Sequence, residues 1–387
     1  MLLAIVTLDG TLKVVTFLVM LSVLVVLHEL GHFILARRNG VRVNEFAVGM
    51  GPKIFGWKSP RTGTQYSVRA LLIGGYCAMH GEDAKTSEAA QQREFQQERE
   101  EHVQPLDADN FQAKSPWQRL SIIVAGPLAN FILAYVILLL GAFAFGVESP
   151  SSAQAVVGQV VPHSPAALHG LRPGDRIVAL DGRPVTNGDA LVTAINGSLG
   201  RRVTLDYVRN GARYEFDATP VRCASLEPVR AQEREKGCIG FSPFPAFARV
   251  GFGEAFVVSA KEYGDIASNV FGSIALLATD FPKYSSQVTG VVGMGQAATT
   301  IQSFGWGPYL ALAATISFAL GVFNLLPIPA LDGGRGAFIV AELIRRKPVD
   351  PEREGMVHLA GFAVLLVLML VIALHDIMRI VAGQGAF

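Results

Sequence analysis

About twenty consecutive apolar residues make a helix long enough to cross the hydrocarbon core of a bilayer, and this chain of 387 residues contains four such stretches. Val14 to Ala36 is apolar apart from one polar cluster, and Ser121 to Val147 carries no charge. Gly307 to Leu331 holds Asn324 and two prolines near its end, and Leu359 to Leu374 is a dense run of Leu, Val and Ile. Lipid offers the backbone no hydrogen bonds, so these runs must be helices. Half of all residues are hydrophobic, 17% are charged and mean hydropathy is +0.37, which removes a purely soluble chain. A net charge of +1 gives no field that would gather nucleic acid, and no nucleic-acid module is legible.

A fifth apolar run, Ala255 to Leu277, is interrupted by Lys261, Glu262 and Asp265 and reads as an amphipathic helix lying on the membrane surface. The first run is too long for the apolar part of a cleaved signal peptide, and no small-residue cleavage site follows it, so a retained helix is expected. Lys and Arg near helix ends mark the cytoplasmic side. They are Arg37, Arg38 and Arg42 after the first run, Lys114 and Arg119 before the second, and Arg345, Arg346 and Lys347 between the third and fourth. The N-terminus, the region from 150 to 300 and the C-terminus are then outside, as in a multi-pass protein of a bacterial inner membrane.

The expected fold is a polytopic α-helical membrane protein with four transmembrane helices, a membrane-associated β-hairpin and an inserted extracytoplasmic α+β domain. Its parts run 1–38 (first helix), 39–116 (cytoplasmic region), 117–149 (second helix) and 150–247 (soluble domain). Then come 248–304 (amphipathic helix and linker), 305–345 (third helix) and 346–387 (fourth helix). Thr64 to Tyr76, with Gly74 and Gly75 near its end, reads as strand and is taken as a hairpin touching the membrane. Glu82 to Gln104 is poor in apolar residues and reads as a flexible loop.

Residues from about 153 to 245 alternate short strands with turns. Ser164-Pro165-Ala166-Ala167, then Gly170-Leu171-Arg172-Pro173-Gly174-Asp175-Arg176-Ile177 and Asp181-Gly182, resemble the central part of a PDZ domain. The resemblance implies a groove helix at Asp189 to Ile195 and a closing strand at 237–241, with a peptide or C-terminus bound by strand addition. Of three cysteines, Cys223 and Cys238 flank a polar stretch of this domain and can be one bridge or two free thiols; Cys77 lies apart.

The polar cluster in the first run is His28-Glu29-Leu30-Gly31-His32, an H-E-x-x-H pattern. Residues i and i+4 share a helical face, so both imidazoles can reach one zinc ion. Glu29 is then placed to exchange protons with metal-bound water. Ionisable groups inside an apolar run are costly unless they pair or bind something. A catalytic zinc needs a third protein ligand, and the position where an extended metzincin motif would supply His is Arg38. Asp332 is the candidate, at the end of the third run, where Pro327 and Pro329 break the helix and free backbone groups that only a polar cavity or protein interior tolerates.

HELGH in the first helix, Asn324-Leu325-Leu326-Pro327-Ile328-Pro329-Ala330-Leu331-Asp332-Gly333-Gly334 in a late one, and a PDZ-like module between them resemble the site-2 protease family, in its bacterial regulator of sigma-E protease branch. Val48-Gly49-Met50-Gly51-Pro52, Ala125-Gly126-Pro127-Leu128-Ala129-Asn130-Phe131 and Val291-Val292-Gly293 add to it. Some members carry two PDZ domains; this length permits one. The resemblance implies a Zn2+ endopeptidase with ligands His28, His32 and Asp332 and general base Glu29. It implies that Asn324 holds substrate or polarises the scissile carbonyl, the other reading being a helix–helix hydrogen bond. It also implies that Ser67, Val68, Arg69, Ala70 and Leu71 of the hairpin pair with an unwound substrate strand. Asn130 ranks below Asn324. His80, His102, His163, His169, His358 and His375 show no paired spacing and read as structural.

The substrates implied are single-pass transmembrane proteins, anti-sigma factors or signal-peptide remnants, met in the lipid bilayer. Two other classes fit parts of the pattern: a catalytically silent PDZ scaffold, and a zinc transporter or sensor. Glu29 separates them, since only a protease requires it for turnover.

Overall fold

The computed structural model of the chain describes residues 8–82, 107–149, 155–161, 164–223, 226, 235–243, 246–280, 290–302, 305–347 and 349–381. In chain order the elements begin with α1 (Leu8–Arg38), β1 (Val43–Lys58), β2 (Gln65–Met79) and α2 (Pro116–Phe145). A small domain follows, with β3 (Val147–Ser149), β4 (Val157–Val160), α3 (Pro165–Leu168), β5 (Arg176–Leu180), β6 (Arg183–Pro184) and α4 (Gly188–Asn196). It continues through β7 (Val203–Arg209), β8 (Ala212–Ala218), β9 (Val221–Arg222), β10 (Gly237–Cys238), β11 (Phe241–Pro243) and β12 (Ala246–Ala248). The chain then returns to helices: α5 (Phe252–Thr279), α6 (Val291–Gln302), α7 (Trp306–Leu325), α8 (Asp332–Arg345) and α9 (Pro351–Val381).

Among the described residues, α1, α2, α7 and α9 each contain a window long and apolar enough to cross a membrane. Small residues let these helices approach closely. A Cβ on Gly31 of α1 would stand 2.3 Å from Ala125 O of α2, and one on Gly321 of α7 would stand 2.8 Å from Phe131 Cε1. The start of α2 is fixed by a capping box between Ser115 and Gln118, with proline at the first helical position.

The third apolar run does not stay helical to Leu331. It ends at Leu325, and Asp332 opens a separate helix instead of closing the span. Leu326 is already extended, at φ −64° and ψ 141°, as expected of a residue just before Pro327. The fifth run also differs from a helix lying flat on a surface. Rings of α5 meet rings in the C-terminal half of α2, Phe252 against Phe143 and both Phe256 and Tyr263 against Tyr135. Tyr263 and Phe271 also reach Phe318 of α7. This aromatic face lays α5 alongside the spanning helices.

Residues 64–76 form one strand of a two-strand sheet whose partner is β1, a strand not foreseen from the sequence. Both strands bend, so Glu45, Phe46, Ala47 and Val48 face residues 75–78 on one side and 65–68 on the other, while residues 53–58 flank 65–69. Across the sheet the order is therefore 53–58, 65–69, 45–48, 75–79. The bends fall at Gly49, Gly51 and Gly74, with φ of 85°, 83° and 82°, a region open to glycine. The expected loop from Glu82 to Gln104 lies almost wholly outside the described residues.

In the small domain the Pro173-Gly174-Asp175 turn launches β5, and β5 ends at Asp181-Gly182, both at positive φ. The helix foreseen at 189–195 is α4. The sheet order is β6-β5-β7-β8, and the closing strand appears as two short pieces, β10 on β9 and β11 on β4. Cys223 and Cys238 form a disulfide between the ends of β9 and β10.

At one end of the bundle Arg119 of α2 donates to both carboxylate oxygens of Glu342 on α8, at 2.7 and 2.8 Å, with both side chains largely buried. Replacing Glu342 with Ala leaves a buried guanidinium unpaired. The expected loss is about 3–5 kcal/mol, read as a lower thermal midpoint in detergent, with most of it restored by leucine at both positions.

Candidate metal centre

Three donor-bearing side chains converge from two helices far apart in sequence. His28 and His32, one turn apart on α1, face Asp332 in the first turn of α8. His28 Nε2 is 3.0 Å and His32 Nε2 3.2 Å from Asp332 Oδ2. The two Nε2 atoms are 3.2 Å apart, and all donor atoms lie within 4.8 Å of one another. Both histidines are buried. Glu29 follows His28 on the same turn of α1.

The neighbours of the rings decide whether a cation fits. His32 Nδ1 donates to Ile122 O at 2.8 Å, which leaves Nε2 with its lone pair. His28 Nδ1 lies 3.1 Å from the Asn130 amide nitrogen, while Asn130 Oδ1 is buried with no partner. Exchanging the amide's oxygen and nitrogen, which share one shape, lets Oδ1 accept from His28 Nδ1–H. Both Nε2 atoms then face Asp332 as acceptors, the protonation state that metal ligation requires. Gly126 leaves room beside the rings: a Cβ there would come within 2.2 Å of His32 Nε2 and 2.8 Å of His28 Cε1. The residues therefore fit a divalent cation of the zinc type, with two imidazoles and a carboxylate.

Asp332 is delivered by the turn after α7. A Cβ on Gly333 would lie 2.2 Å from Leu326 O, and one on Gly334 would lie 2.4 Å from Ile328 O. Only glycines allow the chain to fold back so tightly, so the Asp332-Gly333-Gly334 triplet has a steric reason.

The other expected residues are placed differently. Asn324 sits in the last turn of α7, half-buried, one turn before the break. Ser67 and Val68 have partners on both sides, so the backbone there is not an open edge, and Arg69 is paired with Lys53 of the outer ribbon 53–58. Their side chains also turn inward: Ser67 Oγ donates to Glu45 Oε1 at 2.5 Å and Arg69 Nη2 to the same oxygen at 3.0 Å. Ala70 and Leu71 run into the bend, where Leu71 faces Met50. The ribbon 75–79 is the outer one next to α1, with Gly75 packed against Val26, two residues before His28. Asn130 is the residue whose importance the sequence understates; its signal was an amide in an otherwise apolar helix. His80, Asp107 and Asp109 are also spaced for a cation, but Arg42 lies 3.5 Å from Asp109 and already meets its charge.

Two buried histidines one turn apart and an aspartate from a broken helix make this a candidate metal site, built among helices long and apolar enough to cross a membrane. Residues 16–368 match the family model described as peptidase family M50. The zinc metalloprotease RasP of Shouchella clausii is 33% identical over 94% of this chain and 98% of its own length. The regulator of sigma-W protease RasP of Bacillus subtilis is 30% identical over 95% of this chain and 98% of its own length. The PDZ domain of the SdrC-like protein of Listeria monocytogenes aligns with 24% of this chain and 87% of that domain, at 20% identity and a TM-score of 0.20. The chain belongs to peptidase family M50, the site-2 proteases, and is a membrane zinc metalloprotease.

If Asn130 orients His28, Asn130→Leu weakens zinc binding roughly 10–100-fold, and Asn130→Asp, which keeps an acceptor, does not. Titration of the purified protein against a chelator measures both.

Proposed function

We propose that this protease cleaves single-pass membrane proteins within or beside their spanning helix, with His28, His32 and Asp332 as zinc ligands and Glu29 as general base. The observation that carries this reading is the convergence of the three donors, within 4.8 Å, beside Glu29 and among the spanning helices. Zinc bound there supplies Lewis-acid polarisation of the scissile carbonyl and lowers the pKa of water. Glu29 takes the proton of the attacking water and returns it to the leaving amine. Asn324 holds substrate as it approaches.

A helical substrate protects its peptide bonds and must unwind before it can be cut. An exposed strand edge stabilises the unwound form by supplying main-chain hydrogen bonds. The inner ribbon lacks a free edge at Ser67 and Val68, which favours the outer ribbon, Gly75–Met79, beside α1 as the docking strand. Anti-sigma factors and signal-peptide remnants are the substrate classes.

The small domain lies on the extracytoplasmic side with both termini. The arginines and lysines at the opposite helix ends support this, as does the Cys223–Cys238 disulfide, since such bonds persist in oxidising compartments. The domain is a PDZ-like module that takes a peptide or C-terminus in the groove beside α4. Thiol labelling of intact cells without reductant leaves Cys223 and Cys238 unmodified; labelling of both would remove this support.

The activity is tested with a model single-pass substrate and protein purified in detergent. Glu29→Gln is expected to lower cleavage by about 10²–10⁴-fold while zinc content stays unchanged. Equal cleavage by both proteins would show that Glu29 is not the base.

A further inference from the structure

The last helix, α9, is held to the rest of the protein at few places. The apolar stretch at its centre buries no residue within the protein. Two polar side chains on it nevertheless reach inward. Asp376, 3% exposed, accepts from Gly290 N at 3.0 Å and Gly293 N at 2.9 Å, capping the start of α6. His358, near the other end, accepts from the backbone N–H of Ala330 at 2.9 Å through Nδ1.

Ala330 lies two residues before Asp332, in the turn that aims the carboxylate. Its φ is +76°, a conformation that costs a non-glycine residue about 1–2 kcal/mol. The turn offers it little help. Pro327 and Pro329 donate no backbone hydrogen bonds, and the bonds within the turn run from Ile328 N to Leu326 O and from Leu331 N to Ile328 O. The Ala330 N–H looks to His358 instead. One turn further along α9, Gly361 lies flush on the same turn, where a Cβ would stand 2.4 Å from Pro329 Cβ and 2.9 Å from Pro329 O. Residues i and i+3 of a helix share a face, so His358 and Gly361 together cradle Pro329 and Ala330. The His358 ring is itself fixed, 5.6 Å from the Phe338 ring of α8 and with Nε2 3.9 Å from Glu354 Oε1. A proton on Nε2 leaves Nδ1 as the acceptor that Ala330 needs.

We infer that His358 is a positioning residue for the metal centre: by accepting from Ala330 it holds the turn that presents Asp332 to His28 and His32. It touches none of the donor atoms and acts only through Ala330 and Leu331. Without an acceptor, Ala330 has a half-buried unpaired N–H and a positive φ with nothing to hold it. The turn then relaxes and carries the carboxylate away. The inference rests on Asp332 being the third zinc ligand.

The test measures zinc dissociation constants by chelator competition on the full chain in detergent, for wild type, His358→Leu, His358→Asn and Asp332→Ala. His358→Leu is expected to weaken zinc binding at least tenfold, roughly the cost of losing an outer-shell partner, while His358→Asn, whose Oδ1 falls near the Nδ1 position, stays within about threefold of wild type. If His358→Leu does not purify as a single species, Gly361→Ala takes its place, since it presses on Pro329 from the same face. Wild-type affinity in His358→Leu, with binding lost in Asp332→Ala, overturns the role of His358 and leaves the ligand set standing. Equal weakening in the Leu and Asn variants also overturns it, because ring packing and not the acceptor would then matter. Wild-type affinity in Asp332→Ala overturns the ligand set itself.

Discussion

Two imidazoles of an apolar helix and the Asp332 carboxylate that reaches them from a turn are tolerated because they satisfy one another, and the rest of the architecture follows from that requirement. Hydrocarbon exacts several kcal/mol for each ionisable group left alone. The cluster of His28, His32 and Asp332 therefore needs close packing around it. Gly31 brings α1 against α2, Gly126 makes space for the rings, and Ile122 O and Asn130 occupy the remaining ring nitrogens. These are features of α2, which contributes no metal-binding donor of its own. Its part is to fix the rotation and protonation of the histidines that α1 contributes.

The break after α7 meets a second constraint. Asp332 must enter the bundle from a turn and not from the wall of a helix, so a stretch of backbone is left without helical bonds at membrane depth. Such a stretch survives only within protein. Gly333 and Gly334 fold it against Leu326 and Ile328, and α9 covers it with His358 and Gly361. Arg119 and Glu342 then tie α8 to α2, so that the aspartate and the histidines rest on one connected frame.

The spans were legible because hydropathy over twenty residues is a strong signal, and HELGH because its spacing is that of a helical face. The PDZ-like turn and α4 were legible from local turn chemistry and capping. β1 was hidden because its alternation is interrupted by Gly49 and Gly51, the residues that let it bend and face β2 twice. The break after α7 was legible from Pro327 and Pro329, although Leu, Ile and Pro keep the run apolar as far as Leu331. The inward position of residues 67–69 depends on sheet order, which strand composition does not encode. Asn130 and His358 look like any isolated polar residue in an apolar run. Their meaning comes from what stands opposite them, 102 and 28 residues away in the chain.

His28 and Asp332 are separated by 304 residues. Chains emerge from the ribosome N-terminal end first and insert as they are made. Through most of synthesis His28 and His32 stand without Asp332, and the turn that carries Asp332 is followed by α9, whose His358 bonds to it. A product truncated before Asp332 thus lacks the three-residue cluster. For a membrane zinc metalloprotease, such an order of assembly ties the cluster to the late folding of the C-terminal helices.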